Sequence, residues 1–290
     1  MTTGIQAERA TSAQPRPVVA THSGMPTSDG AGVKLTRVIG TRELPDINPF
    51  LMLDEFGSDQ PDAYIAGFPD HPHRGFETVT YLLAGRLRHR DNHGHSGLLT
   101  SGGVQWMTAG RGIVHSEMPE QEEGLMRGFQ LWINLPAAEK MRPAEYQDLA
   151  ASDQPVVALD GGGKVRVIAG EYRGVRGPAP RRTTDPLYLD VELPANSQFS
   201  TGVAAGKSAF VYVYEGRAEV GTPATAVKAP RLAVLGTGTE IAVGTGAERA
   251  RFLVAAAWPL NEPIAKYGPF VMNTPEEIRQ ALEDFQAGRF

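Results

Sequence analysis

Short segments rich in Val, Ile, Leu and aromatic residues recur from Pro17 onward, each closed by a turn signal of Gly, Pro, Asn or Asp. They lie at 33–39, 78–83, 103–107, 128–133, 164–168, 187–193 and 209–214. That length and spacing predict an all-β protein, a sandwich or barrel of many short strands. Residues 137–153 mix helix formers with Pro143 and polar residues, and read as a connector holding a short helix. A weak repeat adds that one unit occurs twice. Thr80-Tyr-Leu-Leu-Ala-Gly-Arg-Leu-Arg88 is similar to Val211-Tyr-Val-Tyr-Glu-Gly-Arg-Ala-Glu219, an apolar strand, a Gly turn and a second strand. The one clear helix is predicted near the C-terminus. Thr274 is its N-cap, Pro275 its first residue and Glu277 the capping-box partner. Ile278, Ala281, Leu282 and Phe285 form one apolar stripe, and Gly288 stands where the helix should stop.

Composition narrows the class. At 290 residues with 41% hydrophobic side chains, the chain can build a normal core in about two domains. The 33 Gly and 22 Pro favour strands and turns over long helices. A net charge of -5 argues against nucleic acid as a direct partner. The absence of cysteine excludes disulfides, thiolate metal ligands and a cysteine nucleophile. No apolar run reaches the roughly 20 residues that span a bilayer, and residues 1–13 lack the blocks of a secretory signal. The expected location is therefore cytoplasmic.

Candidate chemistry concentrates in two short pairs, His71-Pro72-His73 and His115-Ser116-Glu117. Residues i and i+2 of a strand share a face, so each pair can aim two ligands at one point. Three imidazoles and one carboxylate suit a divalent first-row metal with open positions: Fe(II), Mn, Ni, Cu or Zn. All seven histidines lie at or before His115, so only the first of two repeated barrels can hold such a site. The cluster His89-Arg-Asp91-Asn92-His93-Gly-His95, surrounded by Arg86, Arg88 and Arg90, reads as a solvated hairpin. Arg173, Arg176, Arg181 and Arg182 form a basic linker with no Walker, Rossmann or zinc-finger pattern beside it.

The first pair, with Glu77 and the strand after it, resembles the first motif of the cupin superfamily. Gly110-Arg-Gly112-Ile-Val-His115 resembles the second, although both spacings depart by one residue and Gly110 stands where proline is common. Longer words are similar to the pirin family of bicupins. They are Pro49-Phe-Leu-Met-Leu-Asp-Glu-Phe56, His71-Pro-His-Arg-Gly-Phe-Glu-Thr78, Gln105-Trp-Met-Thr-Ala-Gly-Arg-Gly-Ile-Val-His-Ser-Glu-Met118 and Gln130-Leu-Trp-Ile-Asn-Leu135. Near the end, Glu262-Pro-Ile-Ala-Lys-Tyr-Gly-Pro-Phe-Val-Met-Asn273 belongs with them.

This resemblance implies two cupin-type β-barrels. The expected division is a disordered tail at 1–15, a metal-binding barrel at 16–148, and a barrel without histidine ligands at 149–290, ending in the helix. It also implies iron held by His71, His73, His115 and Glu117, with Glu77 behind them, supporting a ligand or standing in as one. Phe76, Trp106, Met107, Gln130 and Trp132 are candidates for a substrate pocket. Gln130 is the informative one, because a polar side chain aimed into a barrel needs a partner, which substrate or bound water could provide. The activity implied is flavonol (quercetin-type) 2,4-dioxygenation with release of CO. Substrate and O₂ would be the partners, and Glu117 would accept a proton. The alternative is a metal-dependent regulator that binds a transcription factor or metabolic enzyme. A sugar or small-acid isomerase or hydrolase is a weaker third reading.

Overall fold

The structure is a computed structural model that describes residues 13–290. Most of the tail expected at 1–15 therefore lies outside the described residues. The remainder is all-β, with two barrels side by side and one α-helix, Pro275–Gln286. The helix begins as predicted, with the Thr274 side chain accepting from the Glu277 amide and the Glu277 side chain accepting in return. No helix among the described residues is long and apolar enough to cross a membrane.

Strand alternation sorts side chains into two kinds of core. In Leu187–Leu193, the residues Leu187, Leu189, Val191 and Leu193 point into the C-terminal barrel, and Tyr188 points out of it. Ser208–Val220 repeats the rule, with Ala209, Val211 and Val213 inward and Phe210, Tyr212 and Tyr214 outward. The outward residues meet Val79, Tyr81, Trp106, Phe129 and Leu131 of the N-terminal barrel in one apolar layer between the barrels. Within that layer Tyr81 donates to Asp190 at 2.7 Å, which satisfies a buried carboxylate.

The N-terminal barrel has two walls. One is a seven-stranded sheet whose centre is Val104–Thr108, Phe76–Ala84, Met126–Asn134 and Phe50–Ser58. The other is a four-stranded sheet in the order Phe68–His73, Ile113–Pro119, Arg86–Asp91, Ser96–Thr100. The connector expected at 137–153 has no α-helix. It holds two 3-10 turns and a strand, Glu145–Leu149, that extends the seven-stranded sheet beside Val104–Thr108.

Both chain ends cross over. Val18–His22 pairs with Arg231–Leu235 of the C-terminal barrel, and the Arg16 guanidinium is buried there on the carbonyls of Lys207 and Ala204, each at 2.8 Å. So residues 14–22, placed by the sequence in the tail and first barrel, add to the second. In the opposite direction Phe270–Met272 and the terminal helix dock on the first barrel. The Val271 amide donates to Arg74 O at 3.0 Å, and Arg74 pairs with Asp284 at 2.7 Å. Lys140 completes the clasp, its buried ammonium donating to Gly75 O, Asn134 Oδ1 and Val271 O at 2.7, 2.6 and 3.0 Å.

Candidate metal centre

The strands Phe68–His73 and Ile113–Pro119 run antiparallel, with His71 directly opposite His115 and His73 opposite Ile113. Two i, i+2 positions on one strand thus meet the neighbouring strand on the same face. One ligand nitrogen from each of His71, His73 and His115 lies within 4.8 Å of the others. Among the described residues this is the one such group of histidine and carboxylate side chains.

The polar atoms of these rings fit a metal. His71 Nδ1 donates to the carbonyl of Pro69 at 2.8 Å, which leaves Nε2 as the nitrogen that could face a metal. His115 is buried with neither ring nitrogen partnered, and His73 Nδ1 is likewise without a partner. Buried nitrogens are rarely left this way without water or an ion. Burial, and then the neighbouring imidazoles, push the pKa values of His73 and His115 well below the usual histidine range. The rings are therefore neutral near pH 7, the form that ligates.

Glu117 follows His115 by two residues, but the ladder with Phe68–His73 shifts register between them. Its carboxylate is held against the seven-stranded wall, with Oε1 accepting from Thr80 Oγ1 at 2.9 Å and Oε2 from Gln130 Nε2 at 2.8 Å. Gln130 Oε1 in turn accepts from Trp132 Nε1 at 3.1 Å. So Gln130 finds its partners inside the protein, and one hydrogen-bonded line runs from Thr80 through Glu117 and Gln130 to Trp132. The Trp132 ring lies 5.2 Å from His73 and 4.3 Å from Phe76 between centroids.

A cavity of about 710 Å³ opens onto His71 and His73. Of the candidate pocket residues, Gln130 and Trp132 line it, whereas Phe76, Trp106 and Met107 do not. Phe76 lies behind Trp132, and Met107 packs with Ala109 and Ile113. Trp106 and Glu77 sit at positions whose alternation turns them outward, toward the layer between the barrels. Glu77 accepts from Thr108 Oγ1 at 2.6 Å and pairs with Arg182 at 2.8 Å, so it is placed away from the histidines. Burial raises its pKa, and the Arg182 charge opposes the rise. Arg182 of the basic linker is thus the counterion of a buried carboxylate. The His89–His95 segment divides in two. His93 and His95 are exposed on a turn organised by Asp91, whereas His89 is buried against Tyr146 and Asp148.

The sequence did not single out Arg37, Asp54, Met52, Phe68 or Lys266, all of which line the cavity. Lys266 stood inside a quoted word, Glu262 to Asn273, but nothing local tied it to a site about 150 residues earlier in the chain.

Comparison with known proteins places this architecture among relatives. Residues 32–133 match the family described as Pirin, and residues 188–290 match the Pirin C-terminal cupin domain. A Pseudomonas aeruginosa protein provisionally named a quercetin 2,3-dioxygenase is 52% identical over 94% of this chain and 97% of its own length. A pirin-like protein of Caulobacter vibrioides is 51% identical over 95% of this chain and 99% of its own. The crystal structure of a quercetin 2,3-dioxygenase from Acinetobacter baumannii is 36% identical, with a TM-score of 0.88 across 95% of this chain and 98% of that one.

Proposed function

This chain belongs to the pirin family, and from that membership we propose that it is a metal-dependent dioxygenase of quercetin-type flavonols, releasing CO. The observation that carries the reading is the convergence of three imidazoles, two of which line the same cavity as Trp132 and Gln130. An open channel to the ligands is what catalysis needs, and it favours an enzyme over a regulator that would cover the site with a partner.

His71, His73, His115 and Glu117 would hold the ion, Fe(II) in the first instance. When bound it would supply Lewis acidity to a flavonol hydroxyl oxygen and an electron route to O₂. The chain's own groups do the rest. Trp132 offers a flat face for an aromatic ring, and Leu35, Met52, Phe56 and Phe68 give the cavity apolar walls that exclude water. Glu117 is the base that accepts the hydroxyl proton. Thr80 and Gln130 fix its carboxylate in place before the substrate arrives, so little reorganisation accompanies the transfer.

The test is O₂ uptake and CO release with quercetin, using protein loaded anaerobically with Fe(II) beside His73→Ala. The expected result is one CO per O₂ in the wild type and none in the variant. Tight iron binding without turnover would overturn the proposal and favour metal-dependent partner binding. Loading with Mn, Ni, Cu or Zn in the same assay identifies the competent ion.

A further inference from the structure

The cavity wall carries five charged side chains, and three of them are tied to one another. Arg37 grips Asp54 with two hydrogen bonds of 2.9 and 2.8 Å and reaches Asp29 at 2.9 Å. Its donors face carboxylates already in place. Asp70, next to His71 in the chain, makes no ion pair among the described residues and is exposed.

Lys266 is different. It reaches the cavity from Ala265–Tyr267, in the C-terminal segment that crosses back to the first barrel. Its ammonium makes one long hydrogen bond, to Leu51 O at 3.3 Å, and no ion pair among the described residues. It stands 5.9 Å from the centroid of the Trp132 ring, which also lies 5.2 Å from the His73 ring. The order along the wall is therefore a histidine, an aromatic face and an uncommitted cation. An ammonium has three donors, and here at least one is available to a ligand.

We propose that Lys266 binds an ionised oxygen of the substrate, so that the preferred substrates are planar aromatic acids. The ring system lies on Trp132, one oxygen is presented to the histidines, and a carboxylate or acidic phenolate sits on Lys266. Asp70 belongs to the histidine strand, and Arg37 is taken up by Asp54 and Asp29, so Lys266 is the cation on the wall left to receive an anion. This inference rests on the dioxygenase reading of the same cavity and adds the residue that selects among aromatic substrates.

The test compares a 3-hydroxyflavone carrying a carboxylate on its distal ring with the methyl ester of the same compound. Both are titrated into zinc-loaded protein without O₂, so that binding is read with no turnover. A charge-assisted hydrogen bond predicts that the acid binds about tenfold or more tightly than the ester. Added salt should reduce the preference. In Lys266→Met acid and ester should bind alike, and Lys266→Arg should keep the preference. Zinc content and melting temperature report whether each variant is folded. Equal binding of acid and ester to the wild type would overturn the proposal, as would a preference that survives in folded Lys266→Met. If zinc is bound but neither probe binds, the dioxygenase reading itself fails, and the role of Lys266 falls with it.

Discussion

The inward faces of the two barrels differ in kind. In the C-terminal barrel, neighbouring strands send in Leu187, Leu189 and Val191, then Ala209, Val211 and Val213, then Phe252 and Val254, and these form one continuous apolar core. In the N-terminal barrel the inward positions include Thr80, Gln105, Gln130, His115 and Glu117. Its apolar residues are split around this polar line. Leu82 and Leu87 pack on Phe56, Met52 and Phe76 on Trp132, and Met107 on Ile113. The same plan of strands thus serves two ends. One interior is spent on stability, and the other keeps polar groups buried, each at the cost of a partner it must find. What the first barrel lacks inside it recovers outside, from the layer it shares with the second barrel and from the docked C-terminal segment.

The largest effect should come from the polar interior. Glu117→Gln keeps the shape of the side chain and removes the base. Turnover should fall by roughly 10²–10⁴-fold, with the unfolding midpoint little changed. Wild-type turnover in that variant would remove Glu117 from the mechanism and leave the polar line without a catalytic purpose.

The apolar interior should respond in the opposite sense. Phe252→Ala opens a cavity in the second barrel and should cost about 3–5 kcal/mol in urea unfolding. Metal content per folded chain should stay the same. Loss of metal at temperatures where the variant is still folded would show that the two interiors are not separable.

A smaller effect sharpens the junction. Burial holds the Lys140 ammonium at a pKa of about 8, below the ordinary lysine value of 10.5. Between those pH values the unfolded chain binds more protons than the folded one, so stability contributed by this site rises with pH across that window. Below about pH 8 both states are protonated, and the full penalty of burying the charge is present. The stability of the wild type relative to Lys140→Met should therefore improve from pH 8 to 10. A difference independent of pH would mean that the ammonium is not buried as described.

The sequence made the all-β class, the two barrels, the terminal helix and the three histidines legible because each is written in local spacing. Alternation and capping act over a few residues, and so does an i, i+2 ligand pair. What stayed hidden depends on distant partners. Glu77 looks like a ligand until Arg182 arrives from the linker. Gln130 looks unsatisfied until Glu117 is seen beside it. Trp106 sits next to Met107 in the chain, and only the assembled barrels show that it faces the other way. The exchange of the two chain ends, which puts Lys266 at the cavity, has no local signature at all.

The most direct test of the contrast between the barrels is metal stoichiometry after anaerobic loading, in the wild type and in a His71→Ala, His73→Ala, His115→Ala triple variant. One ion per wild-type chain and none in a folded triple variant is the predicted result. An ion retained by the triple variant would put the metal elsewhere and contradict the assignment of the centre to the first barrel.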